Sequence, residues 1–139
     1  MRNPVDRVKI IKAKILLIKE IIKDYAGNLN EILEDEKMLR PAVLMHLVAI
    51  SEQINKLKEE NSFEILEKFS RSDLKGINDM RNFIAHDYEG VDLAVVEAAL
   101  RFGLPSLENS VDKILKKSEQ QVKEPTAKYR TGKKKPKKS

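Results

Sequence analysis

Nine consecutive residues, Met80-Arg81-Asn82-Phe83-Ile84-Ala85-His86-Asp87-Tyr88, bring together a guanidinium, an amide, an imidazole, a carboxylate and a phenol. The chain has 2 histidines, no cysteine and no tryptophan, so this density of reactive side chains stands apart from its composition. An arginine can donate a bidentate pair of hydrogen bonds to phosphate oxygens and keeps its charge at every physiological pH. An imidazole can take or give a proton near neutrality. Together Arg81 and His86 suit cleavage of RNA without a metal. The histidine would assist attack of a ribose 2′-hydroxyl on the adjacent phosphorus, and the arginine would stabilise charge developing on the phosphoryl oxygens. One copy supplies a single acid–base group, whereas such a cleavage benefits from both a base and an acid. A two-fold homodimer, the commonest assembly, would bring in a second His86 and a second Arg81.

Projected as a helix at about 100° per residue with Arg81 at zero, Ile77, Met80, Phe83 and Ile84 fall between roughly 200° and 320° and define a buried side. Arg81, Asn82 and His86 fall away from it, with Asn82 and His86 as i,i+4 neighbours able to touch. Asp87 would point inward on the same projection, so the helix is expected to end at His86, turning Asp87 and Tyr88 out together with Gly90.

The elements that hold this segment read as helices throughout. Asn3, Pro4 and Asp6 give a cap, a proline at the first helical position and an acid in the first turn, followed by the periodic set Val8, Ile11, Ile15, Ile18 and Ile22. Gly27 suits the left-handed position that ends this helix. Asn30 is expected to cap a short turn through Ile32 and Leu33. A second long helix spans about Asp35 to Glu60, with Pro41 near its start and an inward stripe of Leu44, Leu47, Val48, Ser51, Ile54 and Leu57. Ser62 opens a short helix, and Ser72 or Asp73 is expected to cap the helix that carries the cluster. Asp92 caps the last, which runs through Leu100 and Leu107 to Lys117, bent at Gly103 and Pro105. No segment alternates as a strand does. The fold class is therefore all-α, an up-and-down bundle of four to five helices over residues 1–118, followed by a disordered basic tail over 119–139.

The formal net charge of +5 belongs to that tail. Residues 123–139 hold eight basic groups and one acid, which leaves 19 basic against 21 acidic groups in the rest of the chain. A lysine run of this kind fits electrostatic attraction to RNA and fits a solubilising tail equally well. No run approaches the roughly 18 apolar residues needed to span a bilayer, and no signal peptide is visible, so a soluble, cytoplasmic protein is expected. The absence of cysteine removes disulfides, thiolate zinc sites and cysteine nucleophiles.

The pattern of Arg81-Asn82, three residues, then His86-Asp87-Tyr88 resembles the arginine, four residues, histidine, any residue, tyrosine signature of the HEPN superfamily, specifically the HepT-like toxins. Leu39–Lys58, with Pro41-Ala42-Val43-Leu44-Met45-His46-Leu47, and Val91–Val96 also look like that family. The resemblance implies a homodimeric, metal-independent ribonuclease toxin with a composite cleft, in which Arg81 and His86 are catalytic and Asn82 supports them. It further implies an MntA-like minimal nucleotidyltransferase as antitoxin, which transfers AMP from ATP to Tyr88. No cofactor and no metal are implied.

His46, amid Val43, Leu44, Leu47 and Val48, reads as a packing residue. Glu52 reads first as a solvated or bundle carboxylate and second as a group that orients Arg81 or His86. The alternative function is a non-catalytic helical module that binds a nucleotide or a partner in the same cleft.

Overall fold

The computed structural model describes residues 3–129, with side-chain surroundings through Gln121. Helix α1 spans Pro4–Asp24, α2 Leu29–Glu34, α3 Leu39–Glu59, α4 Phe63–Leu66, α5 Arg71–His86 and α6 Leu93–Ala98. A π turn over Ala99–Gly103 joins α6 without a break to α7, Leu104–Tyr129. No strand occurs among the described residues. Four long helical rods, α1, α3, α5 and the continuous α6–α7, therefore make the all-α bundle that the periodicity predicts, and α2 and α4 are short connectors.

The rods run up and down, and polar ties across them show it. Arg7 at the start of α1 donates from Nε and Nη2 to the Glu60 carboxylate just past the end of α3, at 2.9 and 2.6 Å, and from Nη1 to Gln53 at 3.1 Å. Lys12 bridges Glu108 and Asp112 at 2.7 and 2.8 Å, while Lys19, two turns further along α1, reaches back to Glu108 at 3.0 Å. Between these ties lies one core. Val8, Ile11, Ile15 and Ile18 of α1 meet Val43, Leu47, Ile50 and Ile54 of α3, and Leu104, Leu107, Val111 and Ile114 close it from α7. Ser51 is buried among them and satisfied, its hydroxyl donating to the Val48 carbonyl at 2.7 Å.

Several caps stand where the sequence puts them. The Asn3 side chain accepts from the Val5 amide at 2.8 Å with Pro4 next in line, and Asp92 accepts from Ala94 at 2.9 Å. Others shift. Asn28, not Asn30, caps α2, and Ser70, not Ser72 or Asp73, caps α5 by accepting from the Asp73 amide at 3.0 Å. In both cases the true cap lies exactly one side-chain reach before the amide it satisfies, a position that composition leaves ambiguous. Helix α3 begins at Leu39 rather than Asp35. Asp35 instead accepts from the Lys37 and Leu39 amides, both at 3.1 Å, and Pro41 falls in the first turn, where no intrahelical donor is missed.

The last helix passes its expected end at Lys117 and continues to Tyr129. Ser118-Glu119-Gln120-Gln121 lacks apolar burial, but glutamate and glutamine are good helix formers. The sequence places a disordered tail over 119–139; its first part, 119–129, is helical, and the lysine-rich stretch 130–139 lies outside the described residues.

Two predictions follow from these ties. The end of α1 is a Schellman motif, with Ala26 N–H bonded to Lys23 O at 3.0 Å and Gly27 N–H to Ile22 O at 2.8 Å. Its left-handed position is held by Ala26, φ 53°, and not by Gly27, which follows at φ 78°. An L-residue there carries a steric penalty that glycine lacks. Ala26→Gly is expected to raise stability by about 1 kcal/mol in denaturant unfolding. The second concerns acid. Hydrogen bonds from Arg7 hold the Glu60 carboxyl below its usual range. Burial opposes ionisation of Glu108, but Lys12 and Lys19 outweigh it and hold that carboxyl low as well. A carboxyl depressed in the folded state stabilises the fold above its unfolded value, about 4.3 for glutamate, and that stability is lost as pH falls through the folded value. The melting temperature should therefore drop on acidification below this range, and Glu60→Gln should flatten the drop.

Candidate active site

Helix α5 is fastened to the bundle by a thin seam. Met80 and Ile84, one turn apart, are buried, and Leu74 and Ile77 pack partly against the core. The projection also put Phe83 on the buried side. The structure corrects this: Phe83 is 53% exposed. Its sector of α5 faces a groove next to the π turn instead of a filled interior, so an apolar residue at helical spacing is left uncovered.

On the other flank of α5, Arg81 and Asn82 are half-buried, and His86 is exposed as the last helical residue. The helix thus ends at His86. Asp87 closes the end with its backbone, its amide donating to the Phe83 carbonyl at 3.1 Å. Its side chain turns out, as the helix ending requires, and does a local job. The Gly90 amide donates to Asp87 Oδ1 at 3.0 Å and to the Asp87 carbonyl at 3.1 Å, which folds residues 87–90 into a tight turn. A Cβ at Gly90 would collide with that carboxylate. Tyr88 sits within this turn, 43% exposed.

The four residues singled out by sequence are thus collected at one end of α5. Among the described residues, the side chains of Arg81, Asn82, His86 and Tyr88 make no hydrogen bond and no ion pair with other protein groups. Asn82 and His86 lie one turn apart as projected, without a hydrogen bond between their side chains. The guanidinium, amide, imidazole and phenol are free to meet a ligand. On an ideal helix, five residues separate Arg81 and His86 by about 140° and roughly 7.5 Å along the axis. The pair therefore flanks the helix end and does not form one stripe.

Neighbouring candidates fall away. Glu52 is exposed on α3 and bonds neither Arg81 nor His86. His46 is half-buried, and burial, with Lys14 nearby, pushes its imidazole below the usual range, which favours the neutral, packed form. No group of three or more His, Asp or Glu side chains among the described residues is arranged to hold a metal ion. Sequence reasoning passed over Asn78. This residue is half-buried on the same flank, three and four positions before Arg81 and Asn82, and the i,i+3/i,i+4 spacing of asparagine, arginine and asparagine is the signal that points to it.

One helix end of the bundle thus displays an uncommitted arginine, histidine and tyrosine, a permanent cation beside two groups able to exchange a proton. The family model described as "Ribonuclease HepT-like" matches residues 11–114, and the chain belongs to that family. Ribonuclease is accordingly its class of activity. Comparison with curated proteins found no match, and comparison with solved structures found none either. No described helix is long and apolar enough to cross a membrane.

The Asp87 turn generates its own test. Asp87→Ala removes the side-chain acceptor of the exposed Gly90 amide, leaving the Asp87 carbonyl, and is expected to cost about 0.5–1.5 kcal/mol. Gly90→Ala should cost a similar amount by displacing the same carboxylate. The two losses should not add in the double variant, because they break one interaction. Denaturant unfolding of the two single variants and the double variant checks this.

Proposed function

We propose that the chain is a metal-independent endoribonuclease, the toxin of a toxin–antitoxin pair, and that it works as a homodimer. His86 takes the proton of a ribose 2′-hydroxyl as O2′ attacks the adjacent phosphorus. The P–O5′ bond breaks, and the leaving 5′-oxygen receives a proton from the second copy's His86. The products are a 2′,3′-cyclic phosphate and a 5′-hydroxyl. Arg81 neutralises the charge that builds on the phosphoryl oxygens, and Asn82 helps hold the phosphate. The observation that carries this reading is the collection of unengaged Arg81, Asn82 and His86 side chains at the end of α5, in a chain of a ribonuclease family.

The spacing supports the dimer. Arg81 and His86 stand on different sides of their own helix end, and a second copy offers a partner for each across a shared cleft. Tyr88 is the proposed switch. An MntA-like nucleotidyltransferase antitoxin would form a bond between the tyrosine oxygen and the α-phosphorus of ATP, releasing pyrophosphate and leaving AMP on Tyr88. Its bulk and negative phosphate would then occupy the cleft where an RNA phosphate must bind. Exposure of the phenol in a turn two residues past His86 supports that role.

RNA incubated with the purified chain in EDTA should be cut to fragments ending in cyclic phosphate. His86→Ala and Arg81→Ala should each reduce the rate by about 10²–10⁴-fold, the range for a group acting in proton transfer or charge stabilisation. Equal cleavage by wild type and His86→Ala would remove the nuclease assignment from this site. With an MntA-like enzyme and ATP, the intact mass should rise by one AMP unit or more, and Tyr88→Phe should abolish the rise.

A further inference from the structure

The polar flank of α5 continues past the cluster, toward the start of the helix. Projected at about 100° per residue from Arg81, Asn78 falls near 60°, Arg71 near 80° and Asn82 near 100°. The two acids of the helix lie outside this sector, and both are engaged: Asp73 accepts from the Ser106 hydroxyl and Asp79 from Lys75, each at 2.7 Å. Arg71 is exposed and Asn78 half-buried. Among the described residues, neither side chain makes a hydrogen bond or an ion pair with another protein group. A half-buried amide in this state has given up water without gaining a partner, which a ligand would supply.

Helix α3 forms the facing wall. Gln53, which accepts from Arg7 of α1, lies about 120° one way round α3 from Leu47, so Val48, Glu52 and Asn55, about 80–140° the other way, turn toward α5. Leu47 and Met80 line one groove, which sets the register of the two antiparallel helices. Equal steps down α3 and back along α5 bring Glu52 level with Lys75 and Asn55 level with Ser72. Asn55 is half-buried as well, again without a side-chain hydrogen bond among the described residues. The furrow between the two helices is thus bounded by Arg81 and Arg71, about 15 Å apart along the axis, with Asn78 and Asn55 between them.

We propose that this furrow is the track on which the RNA strand lies beyond the cleavage site. Arg81 holds the scissile phosphate, Arg71 pairs with a phosphate further along the strand, and Asn78 and Asn55 hydrogen-bond ribose hydroxyls between them. The residue types match those partners. A guanidinium donates a bidentate pair to phosphate oxygens. A ribose 2′-hydroxyl both donates and accepts, and an amide side chain does the same, whereas arginine and lysine only donate. Glu52, exposed on the facing wall between the levels of the two arginines, repels a phosphate there but accepts from a hydroxyl. The middle of the furrow therefore suits sugars, and its ends suit phosphates. This rests on the nuclease reading of Arg81 and His86 and gives its substrate a path; Arg71, Asn78 and Asn55 bind the strand and take no part in bond cleavage.

The test measures binding to the His86→Ala chain, which on that reading holds RNA without cutting it, by anisotropy of a labelled single-stranded RNA long enough to span the furrow. Adding Arg71→Ala should weaken binding about tenfold. It should also reduce the slope of log affinity against log salt by about 0.7, the share of one phosphate contact on a single strand. Adding Asn78→Ala should leave that slope alone and lower affinity for RNA about fivefold, with no loss for DNA of the same sequence. With His86 in place, Arg71→Ala should raise KM for the long RNA at unchanged kcat, and should not alter cleavage of a dinucleotide, which is too short to reach it. Both side chains lack protein partners, so the variants should melt as the wild type does. A salt slope unmoved by Arg71→Ala, equal losses on RNA and DNA from Asn78→Ala, or equal losses on short and long RNA would overturn the proposal. If the His86→Ala chain binds no RNA and the wild type cuts none, the nuclease reading fails and the track with it; RNA binding with an unmoved slope removes the track alone.

Discussion

Everything at the site depends on how little of α5 is buried. Met80 and Ile84 clamp the helix to the bundle, and the rest of its circumference is left for other uses. A wider apolar face would hold the helix more firmly but would leave no room for a half-buried arginine and two asparagines on one flank, or for an open groove on the other. Two large side chains on successive turns, each worth roughly 1.5–3 kcal/mol when fully buried, are enough because the neighbouring rods already share a continuous core.

The opposite wall owes its shape to a proline. Pro105 has no amide hydrogen for the Arg101 carbonyl, and its ring would crowd that carbonyl in a regular helix. The chain widens into a π turn just before it, with the Leu104 amide reaching back to Ala99. That widening presents Phe102 outward and places Gly103 on the groove. A bend at Gly103 and Pro105 was legible in the sequence, whereas its form as a π turn with an exposed phenylalanine was not.

Much of the architecture was readable because local rules and burial agree. The Asn3-Pro4 start, the isoleucine stripe of α1, the Asp92 cap and the helix ending at His86 each rest on a short-range signal that nothing in the fold opposes. Reading failed where the deciding partner was distant or where neighbours compete. Phe83 carries helical spacing but meets a groove instead of a core. Ser70 and Ser72 are alike in composition, and only the path of the backbone selects the cap. Ala26 takes a conformation that Gly27, one residue on, would be expected to take. Arg81, Asn82, His86 and Tyr88 were visible as types and spacing, while Asn78, whose i,i+3/i,i+4 spacing to Arg81 and Asn82 was also there to read, was passed over until its partial burial on the same flank drew attention to it.

The turn that carries Tyr88 is short and pinned at both ends, by the Asp87 carboxylate on Gly90 and by Asp92 on Ala94. A group attached to Tyr88 by the proposed modification would start from a fixed point of the backbone two residues past His86, and would block by occupancy without a conformational change passing through the bundle. In the proposed cleft of two copies, one such block would spoil a site that both chains share. The unblocked fraction would then fall as the square of the unmodified fraction, and an antitoxin acting on a minority of chains would already silence a disproportionate share of the sites.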